Sequence, residues 1–440
     1  MKIFFVSLGC DKNLVDSEKM LGVLADRGFQ ITNEAEVADV IVINTCAFIL
    51  DAKKESIETI IEMEDYRKNG GCKALIVTGC LAERYSEEIQ EEFPSVDGII
   101  GTSEYDKIGD VVDHALKSQK DVKIGNLSYL PKHMIRRVRS GVPYFSYLKI
   151  SEGCNKNCTY CAIPSMRGRY RSTEMEDLLE ESRILVQDGV KELILVAQET
   201  TLYGKDLYGK KMLPELIKRL CEMKELSWIR LMYCYPEEIT EELVQVMADE
   251  PKVCNYLDLP IQHCNDRILK AMGRKTDKKE LVDKIAMIRS YLPDVALRTT
   301  LISGFPGEQE EDYEECRAFI QDISFDRLGV FPYSPEEGTK AARMPDQVEE
   351  EIKIRRANGL MEAEKELLGK KNQTRIGKIY PVLVEGYLPS DEIYVGRSYM
   401  DAPDVDGNVF FKADPGLISG DLVHVEVEKA TEYDWMGRRV

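Results

Sequence analysis

The stretch Phe145-Ser-Tyr-Leu-Lys-Ile150-Ser-Glu-Gly-Cys154-Asn-Lys-Asn-Cys158-Thr-Tyr-Cys161 decides how this chain of 440 residues is read. The apolar run at 145–150 reads as a buried strand, and three cysteines crowd the loop that follows it. In parallel barrels the loops at strand C-terminal ends carry the chemistry. A cubic iron–sulfur cluster usually takes four thiolates, so a CxxxCxxC run can hold three corners and leave one iron open to a small molecule. Structural zinc prefers four ligands, commonly as two CxxC-like pairs, and only Cys158 and Cys161 form such a pair here. Three thiols without metal would be reactive in a glycine-flanked loop, with no gain in packing. The run reads as a reaction centre built on an open cluster.

On either side, strands and helices alternate. Residues 1–125 show strand-like runs at 3–8, 40–44, 74–78 and 98–100, with helical patterns at 13–27, 53–68, 81–92 and 104–117. That order predicts a parallel sheet flanked by helices. No Gly-x-Gly-x-x-Gly follows the first strand, so a dinucleotide site is not supported. Residues 126–142 read as a linker with a basic run, Lys132, His133, Arg136, Arg137 and Arg139, expected to be a solvated segment. Over 143–371 strands are expected near 145–150, 192–197, 228–233, 255–259, 296–302 and 327–332, giving a partial (β/α)6 barrel closed by a charged helix at about 347–370. Residues 372–440 turn to short runs broken by Asp406-Gly407, Pro415-Gly416 and Gly420-Asp421, the pattern of a small antiparallel β-barrel of about five strands. The fold class is therefore α/β with a C-terminal OB-like barrel.

Composition narrows the function classes. The net charge of −19 argues against a bulk attraction to nucleic acid or anionic membrane. Twelve cysteines in this length are too sparse for a disulfide scaffold, and thiolate ligation of iron wants a reducing, cytoplasmic setting. The run Ile3–Leu8 before Cys10 is too short and too weakly basic for an export signal, and no stretch approaches a membrane span.

Cys10, Cys46 and Cys80 each fall just past a predicted strand. In a parallel sheet those ends share one edge, where open α/β folds bind their ligands. A second open cluster is expected there, its vacant iron free for an exogenous sulfur. Cys72 precedes its strand and points to the opposite edge; Cys221, Cys234, Cys254, Cys264 and Cys316 are expected to form no comparable set.

CxxxCxΦC, with Tyr160 before the last cysteine, resembles the signature of radical S-adenosylmethionine enzymes. The two cysteine triads, the α/β N-terminal domain, the partial barrel and a TRAM-like terminal module resemble the methylthiotransferases over nearly the whole chain. The resemblance implies two 4Fe-4S clusters, one on Cys154, Cys158 and Cys161 that splits S-adenosylmethionine into an adenosyl radical, and an auxiliary one on Cys10, Cys46 and Cys80 that delivers sulfur. A second S-adenosylmethionine supplies the methyl group. No catalytic side chain beyond the cluster ligands is implied; Tyr160, Gln198 and Ser303, in the loop Leu301–Glu308, are candidate cosubstrate contacts. His263, in Pro260-Ile-Gln-His263, is left without a role.

Family members modify either a tRNA adenosine or an aspartate of the small-subunit ribosomal protein twelve. Ser7-Leu-Gly-Cys-Asp-Lys-Asn-Leu-Val-Asp16 and Cys161-Ala-Ile-Pro-Ser-Met-Arg-Gly168 resemble the protein-directed branch. The charge agrees: residues 371–440 carry 8 basic and 12 acidic side chains, whereas a tRNA platform should be basic. The expected partners are that ribosomal protein, free or in the subunit, and a reductase or flavodoxin-type electron donor. A tRNA methylthiotransferase is the alternative, and a non-catalytic iron–sulfur electron carrier is a third reading, disfavoured because it needs neither a barrel mouth nor open irons.

Overall fold

Val40-Ile-Val-Ile-Asn-Thr45 is buried at every position, as a strand covered by helices on both faces must be. The computed structural model describes residues 1–131 and 136–440; Lys132 and His133 of the basic run lie outside the described residues. The N-terminal sheet is six-stranded and parallel: β1 Lys2–Ser7, β2 Gln30–Thr32, β3 Val40–Thr45, β4 Ala74–Gly79, β5 Gly98–Ile100 and β6 Asp121–Lys123, in the order β2-β1-β3-β4-β5-β6. Alternate residues serve opposite faces. Ile41, Ile43, Leu75 and Val77 pack on Ile60 and Met63 of the helix Leu50–Lys68, while Val40, Val42 and Ile76 pack on Met20 and Leu24 of the helix Asp11–Asp26. The short edge strands β2 and β6 escape a sequence reading because three half-exposed residues make no apolar run. The helix expected over 81–92 is broken at Tyr85 into Cys80–Arg84 and Ser86–Glu92.

The second sheet joins β7 Phe145–Lys149, β10 Glu192–Val196, β11 Trp228–Leu231, β12 Val253–Gln262, β13 Ala296–Ser303 and β14 Arg327–Pro332, all parallel and in sequence order; between β7 and β10 lie the two-residue strands β8 Ser151–Glu152 and β9 Arg171–Ser172. Its outer face, Leu193, Leu195, Leu231 and Leu257 among others, packs on the helices. The inner face does something the sequence did not announce. Ile194, Val196, Trp228 and Tyr256 form one core with Val384, Met400, Phe411, Val425 and Trp435 of the C-terminal segment. That segment is a closed barrel of β15 Ile379–Leu388, β16 Ile393–Ser398, β17 Val409–Lys412, β18 Leu422–Ala430 and β19 Trp435–Arg439. It is therefore packed against the inner wall of the half-barrel, pinned by buried ion pairs: Glu192 with Arg230 and Arg397, each at 2.7 Å, and Arg327 with Asp401.

The linker is not a solvated segment throughout. Arg137 is buried, its guanidinium 2.5 Å from Glu18 on the first helix and 2.6 Å from Glu181 on the barrel. Chain sense hides this, because the two carboxylates are 163 residues apart. Among the described residues, no helix is long and apolar enough to cross a membrane.

Candidate active site

β1, β3 and β4 are neighbours in the sheet, so the residues just past their C-terminal ends meet along one edge. Cys10, Cys46 and Cys80 occupy those positions. Gly9 sits at φ +85°, and a Cβ there would stand 2.7 Å from Cys46 Cβ and 2.9 Å from its Sγ. Only glycine lets the Cys10 backbone come this close to Cys46. Burial pushes the Cys80 thiol up to about 12, with the Cys10 and Cys46 thiols adding to the shift and Arg167 opposing it. Burial also raises Cys46. Cys10 is exposed and forms part of the wall of a cavity of about 350 Å³. Ser7, Asp11 and Leu14 beside it, Tyr147, Ile194, Met232 and Tyr233 of the half-barrel and the loop Ala402–Val405 of the terminal barrel share that wall.

The second triad follows β7. Gly153, at φ +79°, would place a Cβ 2.3 Å from the Arg169 carbonyl, so the turn into Cys154 needs glycine as well. The loop is tied at several points: Cys154 N–H donates to the Gly168 carbonyl at 3.1 Å, Cys161 N–H to the Cys158 carbonyl at 3.1 Å, and Thr159 N–H to the Met272 carbonyl at 2.9 Å. Lys156 N–H donates to Cys154 Sγ at 3.4 Å. Burial pushes Cys154 up to about 11 and Cys161 up to about 12, and the neighbouring thiols push the same way. Buried thiols of this kind ionise only beside a cation, a charge that a bound metal would supply while displacing the protons.

A buried ion cluster joins the two triads. Asp16, six residues past Cys10, accepts from Arg167, six residues past Cys161, at 2.7 Å, and also from Lys149 of β7. Glu152 completes the cluster, 2.7 Å from Lys149 and 3.2 Å from Arg167; these cations hold its carboxyl well below the usual range against the cost of burial. Arg167 also donates to Asn13 Oδ1, and Asn13 lies 3.9 Å from Cys80 Sγ.

The three expected cosubstrate contacts have definite partners. Gln198 Oε1 accepts from Gly153 N–H at 2.9 Å and its Nε2 donates to Glu152 at 2.8 Å, so it braces the turn before Cys154. Ser303 donates to the Lys353 carbonyl at 2.9 Å. Tyr160 packs against a cluster of Ile268, Met272, Phe305, Tyr333 and Ala341. Two residues that sequence reasoning missed keep unused polar atoms near the triad. Glu199 Oε2 is buried without a hydrogen-bond partner, Lys156 Nζ standing 3.8 Å off, and its carboxyl rises to about 7 through burial. Arg274 Nε and Nη1 are likewise buried and unpartnered, its guanidinium 4.3 Å from the Tyr235 ring centre. Position just beyond β10 was the available signal for Glu199; Arg274 gave none. One expectation is overturned: Cys264 and Cys316 do meet, with their Sγ atoms 3.2 Å apart beside His263. The fold brings them together across 52 residues, which no local spacing reveals.

Comparison with known proteins agrees with this layout. Residues 2–101 match the model described as "Uncharacterized protein family UPF0004", residues 148–320 the radical SAM superfamily, and residues 376–440 the TRAM domain. Among solved structures, the radical S-adenosylmethionine methyltransferase TsrM from Kitasatospora setae, with cobalamin and a [4Fe-4S] cluster bound, superposes with a TM-score of 0.59 at 14% identity, covering 77% of this chain and 76% of that one; this likeness speaks to the fold alone. The ribosomal protein uS12 methylthiotransferase RimO of Lachnoclostridium phytofermentans is 53% identical over 437 residues, 99% of each chain. Its namesake from Clostridioides difficile is 46% identical over 99% of this chain and 98% of its own. With identity of that order running from end to end across all three units, the chain belongs to the RimO family of methylthiotransferases.

Proposed function

We propose that the chain is a radical S-adenosylmethionine methylthiotransferase that places a methylthio group on the β-carbon of an aspartate in ribosomal protein uS12. Cys154, Cys158 and Cys161 would hold one 4Fe-4S cluster, and Cys10, Cys46 and Cys80 the other. The glycine-dependent close approaches at both triads, and the influence of the neighbouring thiols on Cys80 and Cys161, support this fit. Bound there, the clusters and S-adenosylmethionine supply one-electron sulfonium cleavage, hydrogen abstraction and sulfur delivery, the chemistry an unactivated C–H bond requires.

The chain's own residues position the parts. Asp16, Lys149, Glu152 and Arg167 hold the two triads in fixed relation. Glu199 and Arg274 offer an unused acceptor and unused donors to the ammonium and carboxylate of the cosubstrate's methionyl end. Gln198 holds the turn that aims Cys154. The cavity at Cys10 admits the target side chain, with Tyr147, Met232 and Tyr233 forming its half-barrel wall. Asp404 at its rim, in a segment (371–440) of net charge −4, favours a basic protein over a polyanion. Work on a ribosomal protein places the enzyme in the cytoplasm, served by a reductase or a flavodoxin-type donor.

The observation that best supports this reading is the Asp16–Arg167 contact, which ties the helix after Cys10 to the segment after Cys161. The test is anaerobic reconstitution with iron, sulfide, S-adenosylmethionine and dithionite, with uS12 and a tRNA anticodon stem-loop offered in parallel. Mass spectrometry should find one methylthio group on a uS12 aspartate and none on the RNA. Modified RNA alone would establish the tRNA reading instead. Absence of 5′-deoxyadenosine would leave an electron carrier.

A further inference from the structure

A third group of soft donors lies apart from both triads, between the end of β12 and the helix Glu310–Ile323. Cys264 Sγ is 3.2 Å from Cys316 Sγ, and Cys316 Sγ is 3.5 Å from each ring nitrogen of His263. One donor atom from each of the three buried residues lies within 4.8 Å of the other two. We infer that His263, Cys264 and Cys316 form a separate mononuclear site for a divalent zinc ion.

The donor set selects the ion. Two thiols and an imidazole suit zinc and exclude calcium and magnesium, which want oxygen. Zinc bonds of about 2.3 Å to sulfur and about 2.0 Å to nitrogen, at tetrahedral angles, set donor separations of about 3.5–3.8 Å. The observed 3.2 and 3.5 Å lie within about 0.6 Å of those separations, and the Cys264 and His263 donors are within 4.8 Å of each other. Two thiols are too few for an open cubic cluster of the kind each triad would hold.

The surroundings fit a metal-bound imidazole. Glu308 Oε2 stands 3.5 Å from His263 Nε2 and is itself fixed by the Gly304 N–H at 2.9 Å, while Arg356 Nη1 lies 2.9 Å from Glu308 Oε1. A carboxylate on one ring nitrogen orients the other toward a metal. That other atom, Nδ1, accepts from Asn265 N–H at 3.0 Å, a bond that ligation would replace. The fourth corner falls to a water, since Glu308 is held on the opposite ring nitrogen. Zinc here would clamp β12 to the helix 310–323 and, through Glu308, to the loop 303–308 at the barrel mouth.

The test uses the full chain, purified anaerobically, reconstituted with iron and sulfide, given equimolar zinc and washed with chelator. We expect about one zinc per chain beside the iron, and zinc-edge X-ray absorption with two sulfurs near about 2.3 Å and nitrogen near about 2.0 Å. Cys264→Ser/Cys316→Ser should lose zinc at least about tenfold with iron unchanged, and Cys72→Ser should keep it. The proposal is overturned by zinc below about 0.1 per chain, by zinc that persists in the double variant, or by a Cys264–Cys316 disulfide in the anaerobic protein. Should the double variant misfold, the wild-type absorption edge decides, since three or four sulfurs would assign the zinc to a triad instead.

Discussion

Arg167 Nη1 stands 2.7 Å from Asp16 Oδ2, and this one buried contact joins the short helix Ile163–Arg167 after one cysteine triad to the helix that follows the first cysteine of the other. Removing one partner from a buried pair strands the remaining charges. Arg167→Met leaves Lys149 as the cation that still contacts both Asp16 and Glu152. It should destabilise the chain by about 3–5 kcal/mol in denaturant melts. Methylthiolation should fall further than cosubstrate cleavage, because the defect lies between the sites.

The two tight glycines separate the clusters experimentally. Gly9→Ala drives a Cβ against Cys46 at a positive φ that costs about 1–3 kcal/mol by itself. Reconstituted iron should fall from about eight to about four per chain, with 5′-deoxyadenosine formation retained. Gly153→Ala, forced against the Arg169 carbonyl, should lose the other four and abolish that product. Iron assay and chromatography read both results.

Glu199→Gln keeps the shape and removes the buried acceptor charge. Loss of a hydrogen bond to a charged group costs about 1.5–3 kcal/mol, so S-adenosylmethionine should bind about ten- to a hundredfold more weakly. Equilibrium dialysis against the reconstituted protein measures it. Unchanged affinity would show that Glu199 does not touch the cosubstrate.

Glu364, on the helix Glu350–Gln373, is buried with neither carboxyl oxygen hydrogen-bonded, and burial raises it to about 7. The folded chain therefore holds this proton after the unfolded chain has lost it, and stability falls as pH rises from about 4.5 to about 7. Glu364→Gln removes that penalty. The variant should gain on the order of 3 kcal/mol at pH 8, shrinking toward zero as pH approaches the unfolded value. Thermal melts across pH 5–8 give the sign.

The terminal barrel is a structural part of the half-barrel as well as a candidate docking face. Glu192→Ala leaves Arg230 and Arg397 buried without their shared carboxylate and should cost about 3–5 kcal/mol. Deleting residues 372–440 bares Ile194, Val196, Trp228 and Tyr256 together. Size-exclusion chromatography should find the truncated chain aggregated, as a large exposed apolar patch dictates.

Local pattern alone settled the alternation of strands and helices, the CxxxCxxC loop after β7, and the place of Cys10, Cys46 and Cys80 at strand ends. Those features depend on side-chain period and on spacing within a few residues, which the chain carries in linear form. Tertiary structure alone decided the burial of Arg137 between Glu18 and Glu181, the meeting of Cys264 with Cys316, and the seating of the terminal barrel on the inner face of the sheet. The apolar residues of β10 and β11 read as buried on both faces whatever covers them. The identity of the cover, and the partner of each buried charge, depends on which distant segments the completed fold brings within a few ångströms.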